Sequence, residues 1–160
     1  MNGWRGVAWA ACVAAGAAWA QPERSALLEL DRVGRSISAQ PCKRPLEQKI
    51  SQVGQTGDEM RALDCGSFRT ASYVARGAAG EREMPMALVV LGPGPELPAG
   101  IALGMAAAAV VQRLGPPSRQ KPSSLGYLLD PARPGGDMIS FELDGERVRA
   151  VSWSWRVEDR

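Results

Sequence analysis

The chain contains no histidine, and that omission decides which chemistries its other side chains can perform. Ser-His-Asp and Cys-His nucleophile arrangements cannot be assembled, and neither can a histidine-ligated zinc site. Catalysis would have to run on carboxylates, lysine, tyrosine or serine. Asp130, Asp137, Glu142 and Asp144 could supply paired carboxylates for general acid/base work on an envelope glycan. The plainer reading of these four is turn and solvent-face charge. Ser118-Arg119-Gln120-Lys121 matches the Ser-x-x-Lys form of penicillin-binding enzymes. Prolines at 116, 117 and 122 make that stretch a loop rather than the start of a buried helix, so the match reads as coincidence. Gly92-Pro93-Gly94-Pro95 lacks phosphate-loop spacing, and its prolines remove backbone donors. It reads as a linker.

Cysteine usage is more informative. Cys12 lies in an N-terminal segment that has the three parts of a secretory signal: Arg5, an apolar run over 6–18, and small residues at 18 and 20. Cleavage is expected between Ala20 and Gln21, with an uncleaved anchor, or lipid attachment through Cys12, as the alternatives. The mature chain would be periplasmic or secreted, without a membrane span. It would keep only Cys42 and Cys65, an even pair suited to a disulfide in an oxidising compartment. The alternative is two buried thiols, where Lys43 and Arg44 beside Cys42 could lower a thiol pKa. Two cysteines without histidine leave a tetrahedral metal set short, so neither metal nor cofactor is expected.

Charge excludes other classes. With Arg5 gone, 18 basic residues face 17 acidic ones, scattered without a basic stripe, so there is no electrostatic reason to expect nucleic acid. Trp153 and Trp155, two apart, would share one strand face with Val151 and Val157, and Ser152, Ser154 and Arg156 the other. An aromatic sheet face can be a partner-binding surface, and Tyr127 and Phe141 belong to the same question. The competing reading packs all four rings in the core of a small domain.

These residues must be positioned by elements legible in the pattern. Positions 22–39 read as a helix with Leu27, Leu30, Val33 and Ile37 near one face. Leu46, Ile50 and Val53 have i, i+4, i+7 spacing and predict a second short helix, ended by Gly54. Thr56-Gly57-Asp58-Glu59 has capping-box form and predicts a further helical turn carrying Met60 and Leu63. Strands are expected over 68–76 and 86–91, then a break at 92–100. A helix over 105–114 and strands at 127–129, 137–143 and 146–157 follow. Asp144-Gly145 signals a hairpin, and the apolar phase slips between Val148 and Val151, which predicts a bulge near Arg149-Ala150.

From Gly104-Met105 at a helix entrance, through Val110, Leu114 and Gly115-Pro116-Pro117, to Tyr127, Phe141, Asp144-Gly145, Val148 and Val151, the chain resembles the SmpA/OmlA (BamE-like) envelope proteins and the related β-lactamase-inhibitor-protein fold. The resemblance covers about the last third of the chain. It implies an α+β fold with helices packed on an antiparallel sheet, and the segment from Gly54 through the strand at Phe68 could be an earlier copy, giving two tandem BamE/BLIP-like units. The expected organisation is a leader over 1–20, an N-terminal half over 21–98 and a C-terminal half over 99–160. The function expected is a non-enzymatic binding or envelope-assembly accessory protein acting on a protein partner through a sheet face. A carboxylate-dependent hydrolase and a purely structural envelope protein are the alternatives.

Overall fold

The computed structural model describes residues 21–93 and 96–157. The expected leader, with Cys12 and Ala20, lies outside the described residues, and Gln21 begins the first helix. No helix among the described residues is long and apolar enough to cross a membrane.

Helix α1 spans Gln21–Ser38. Leu27, Leu30, Gly34 and Ile37 recur every three to four positions, so one stripe of the helix is apolar, and Leu30 and Ile37 are buried. Arg35 in the last turn suits the negative end of the helix, and Pro41 cannot extend it. Strands β1 (Glu47–Val53), β2 (Asp58–Asp64), β3 (Phe68–Gly77) and β4 (Gly80–Val90) then form a meander. After a 3-10 turn at Pro98–Gly100 come helix α2 (Ala107–Leu114) and strands β5 (Arg119–Lys121), β6 (Ser124–Leu128), β7 (Met138–Asp144) and β8 (Arg147–Ser154).

All eight strands belong to one antiparallel sheet in the order β1-β2-β3-β4-β8-β7-β6-β5. Each meander runs outward from a shared seam, where β4 pairs with β8 from Ala87↔Ser154 to Val90↔Val151. The α+β expectation of a helical layer on a sheet, in one or two BamE/BLIP-like units, is therefore corrected. The architecture is mostly β, and among the described residues the α-helices have only 18 and 8 residues. Its cause is local: the segments expected as helices over 46–53 and 56–63 are strands β1 and β2, paired from Glu47↔Asp64 to Val53↔Asp58.

One face of the sheet carries the core. Leu88, Val90, Val151, Trp153, Phe141 and Ile139 point to this side and close on Leu30 and Ile37 of α1 and Val110 and Leu114 of α2. Two bulges keep the apolar side chains in phase. Glu142 opposes Ala150 and Leu143 opposes Val148, so Arg149 is the extra residue, and Val148 and Val151 share the core face as the slipped pattern predicts. Across β3 and β4, Ala71 opposes Ala87 and Ser72 opposes Pro85, which leaves Met86 unopposed. The Met86 carbonyl accepts the Trp155 N–H at 2.8 Å. The turn between β7 and β8 lies at Gly145 and Glu146, one residue beyond the expected place, since Asp144 pairs with Arg147.

Cys42 and Cys65 are paired with Cα atoms 5.9 Å apart, a separation compatible with a disulfide. The pair ties the lead-in to β1 to the tight turn between β2 and β3.

Candidate binding face

The four aromatic residues singled out from the sequence lie in the core. Trp153 is 1% exposed, Phe141 0%, Tyr127 2% and Trp155 5%. Each polar edge is satisfied inside the protein, as burial of an indole or phenol requires. The Trp153 Nε1–H donates to the Leu30 carbonyl at 3.2 Å, and the Trp155 Nε1–H to Asp31 Oδ1 at 2.7 Å. The Tyr127 hydroxyl donates to the Gly115 carbonyl at 3.1 Å, and its ring meets Phe141 edge-on at 5.7 Å. Arg35 stacks over Trp155 at 5.1 Å and bridges Asp31 and Asp137. The two indoles fasten α1 to the sheet and the Tyr127 hydroxyl fastens the end of α2, so these rings position a surface rather than form one.

That surface is the opposite side of the sheet. Side chains alternate along a strand, so inward Leu88, Val90, Val151 and Trp153 leave Ala87, Val89, Ser152 and Ser154 pointing outward. The register joins them into rows. One row runs Ala71, Ala87, Ser154, Met138, Leu128 across β3, β4, β8, β7 and β6. The next runs Arg69, Val89, Ser152, Ser140, Gly126, Arg119 across six strands. The middle of this face is therefore floored by small side chains. No helix among the described residues packs on it, and Ala71, Ala87, Val89, Ser140 and Ser152 are half-buried.

Charged groups flank the floor. Asp64 accepts the Gly66 N–H at 2.9 Å and the Arg69 Nε–H at 2.8 Å, and these bonds hold its carboxyl below the ordinary range. At the far end of the first meander, Asp58 accepts the Tyr73 hydroxyl at 2.6 Å, the Arg76 N–H at 2.8 Å and the Thr56 hydroxyl at 2.8 Å. The Tyr73 bond is the largest cause lowering its pKa. A depressed carboxyl contributes stability that is present above its unfolded pKa and lost as pH falls through the folded one. Tyr73→Phe should therefore raise the Asp58 pKa toward the ordinary value, followed by NMR of the side-chain carboxyl. An unmoved titration would show that the phenol bond does not form.

Three of the four carboxylates proposed from the sequence are held in hydrogen bonds or ion pairs. Asp130 caps its own turn through the Ala132 N–H and faces Arg133. Asp137 accepts Arg35 and the Arg156 N–H, and Glu142 pairs with Arg149 at 3.0 Å. Asp144 lies at the opposite end of β7 from Asp137. Ser118 Oγ accepts the Leu128 N–H beside the short strand that holds Lys121. A cleft of about 420 Å³ opens elsewhere, between the end of α1 and strands β2–β4. Glu83 is the one carboxylate among its described lining residues, and it accepts the Ser72 hydroxyl and faces Arg61. Among the described residues no group of acids or cysteines could hold a metal ion.

Sequence reasoning missed the outward floor because it depends on β4 pairing with β8. The alternation that assigned Ser152 and Ser154 to one strand face was the available signal. Comparisons with family models, curated proteins and solved structures give no match.

Proposed function

We propose that this chain is an exported, non-enzymatic binding or envelope-assembly accessory protein whose uncovered sheet face docks a protein partner. The observation that carries this reading is the continuous floor of small side chains from Ala71 to Gly126, left open while α1 and α2 occupy the other side. Small residues let another backbone or a flat protein surface approach closely, and the flanking Arg69 and Arg119 supply polar rim contacts. A disulfide-compatible cysteine pair is consistent with export to an oxidising compartment. The hydrolase alternative needs two carboxylates facing across a cleft; the cleft on the helix side offers Glu83 alone, and in the depression that holds Glu47 and Asp64 each is paired with a cation, Lys49 and Arg69.

The test is capture from envelope extract by the immobilised chain, compared with Ala87→Arg and Ser152→Arg. Both substitutions place a long cation on the open floor without entering the core. A partner retained by the parent chain should be weakened by about tenfold or more in each variant, as expected for the centre of an interface, with thermal unfolding unchanged. Equal retention by all three chains, or nothing above a control, would sink this reading.

A further inference from the structure

The two edges of the sheet are built differently. Strand β5 has three residues, bears Arg119 and Lys121 on one face, and is closed in by prolines at 116, 117 and 122. Short length, unneutralised cations and prolines are the means by which proteins protect an open edge. Strand β1 has seven residues and, among the described residues, pairs with β2 alone. Its single lysine is neutralised in place, because Lys49 Nζ lies 3.1 Å from Glu47 Oε1. On its other face Ile50 is 51% exposed, and Leu46, just ahead of the strand, is 78% exposed. Pro45 stands just ahead of this strand, but within Glu47–Val53 there is no proline and the one lysine is paired.

Its sequence is also complementary to itself. An antiparallel copy related by a two-fold axis at Gln48, normal to the sheet, sets Glu47 opposite Lys49 of the second copy. On the other face it sets Leu46 opposite Ile50. Every position from 46 to 50 then meets a matching group, and Pro45, which has no N–H, ends the ladder. Moving the axis to residue 49 places lysine against lysine. Moving it to residue 50 sets Glu47 against Val53 and Lys49 against Ser51, leaving both charges unpaired across the interface. Only the axis at Gln48 satisfies both faces.

We propose that β1 pairs with β1 of a second copy of this chain in that register, joining two eight-stranded sheets edge to edge. Backbone hydrogen bonds supply attraction, as in strand addition generally, and the two Glu47–Lys49 pairs fix the register. The pairing leaves the open face available, so it is independent of the partner-docking reading above.

Sedimentation velocity on the full chain with its cysteines oxidised tests it, alongside Glu47→Lys, Lys49→Glu and the double reversal. The parent chain should dimerise at concentrations up to about 100 µM. Each single reversal sets like charges opposite one another at both symmetric positions and should raise the dissociation constant by about tenfold or more. The double reversal restores opposite charges and should recover the dimer. Both substituted positions, 47 and 49, carry exposed side chains, so folding is not at stake. A monomeric parent chain, a dimer indifferent to the single reversals, or a double reversal that stays monomeric overturns the proposal.

Discussion

Trp153→Ala should lower the stability of the fold by about 3–5 kcal/mol, the range for truncating a large buried aromatic side chain. The ring is 1% exposed, lies between α1 and the seam strands, and bonds the Leu30 carbonyl through Nε1. Gly34 shows how close the fit is. A Cβ there would stand 2.5 Å from Trp153 Nε1 and 2.6 Å from Cε2, so the helix can approach only because position 34 has no side chain. Truncation leaves a slot that neither the helix nor the sheet can fill without losing its other contacts. Since a small domain is stable by about 5–15 kcal/mol, the variant should unfold at markedly lower urea concentration or fail to accumulate. A loss of about 1 kcal/mol or less would show that the ring is not packed as described.

Reduction of the cysteine pair should cost about 3 kcal/mol, because the bond closes a loop of moderate length and constrains the unfolded chain. Cys42 and Cys65 are 23 positions apart. The effect should be uneven. The loop contains the whole of β1 and β2, and β1, the outer strand, is exposed and among the described residues is paired on one side only, whereas the Trp153 core lies across the seam. Hydrogen exchange should therefore rise first in β1, with the seam strands retaining protection longer. The check is the urea midpoint with and without reductant, with free thiols counted, and the same measurement on Cys42→Ser/Cys65→Ser. An unchanged midpoint in the fully reduced chain would mean that the pair does not constrain folding.

The elements that the sequence disclosed are those whose apolar spacing admits one reading. Helix α1 follows from Leu27, Leu30 and Ile37, and β7 from Ile139, Phe141 and Leu143 alternating with polar neighbours. The slip between Val148 and Val151 located the β8 bulge, because a bulge is the one device that returns both residues to the same face. The first meander misled for an equally specific reason. Leu46 and Ile50 stand four apart, which is one face of a helix and also one face of a strand. Their exposure shows that neither was placed by a core. Gly54 and Gly57 take φ of 64° and 80°. A glycine in that conformation ends a helix or turns a hairpin with the same residue signal. The Thr56 hydroxyl, read as a helix cap, donates to the Val53 carbonyl and to Asp58 within the turn. The candidate face was half legible: alternation separated Ser140, Ser152 and Ser154 from the core aromatics. What joins them to Ala87 and Val89 is strand pairing between distant segments, which no local pattern contains.

The seam between β4 and β8 also sets an order of events. Synthesis from the N-terminus completes the residues of the first meander before those of β8. Until then β4 has an open edge, its Leu88 and Val90 lack Val151 and Trp153, and Leu30 of α1 has no indole against it. The central strand of the finished sheet is thus its last to be made, and joining residue 90 to residue 151 is a late contact of high sequence separation. Without β8 the first meander has an unpaired inner edge at β4, so the final strand is the closing stitch that unites both halves.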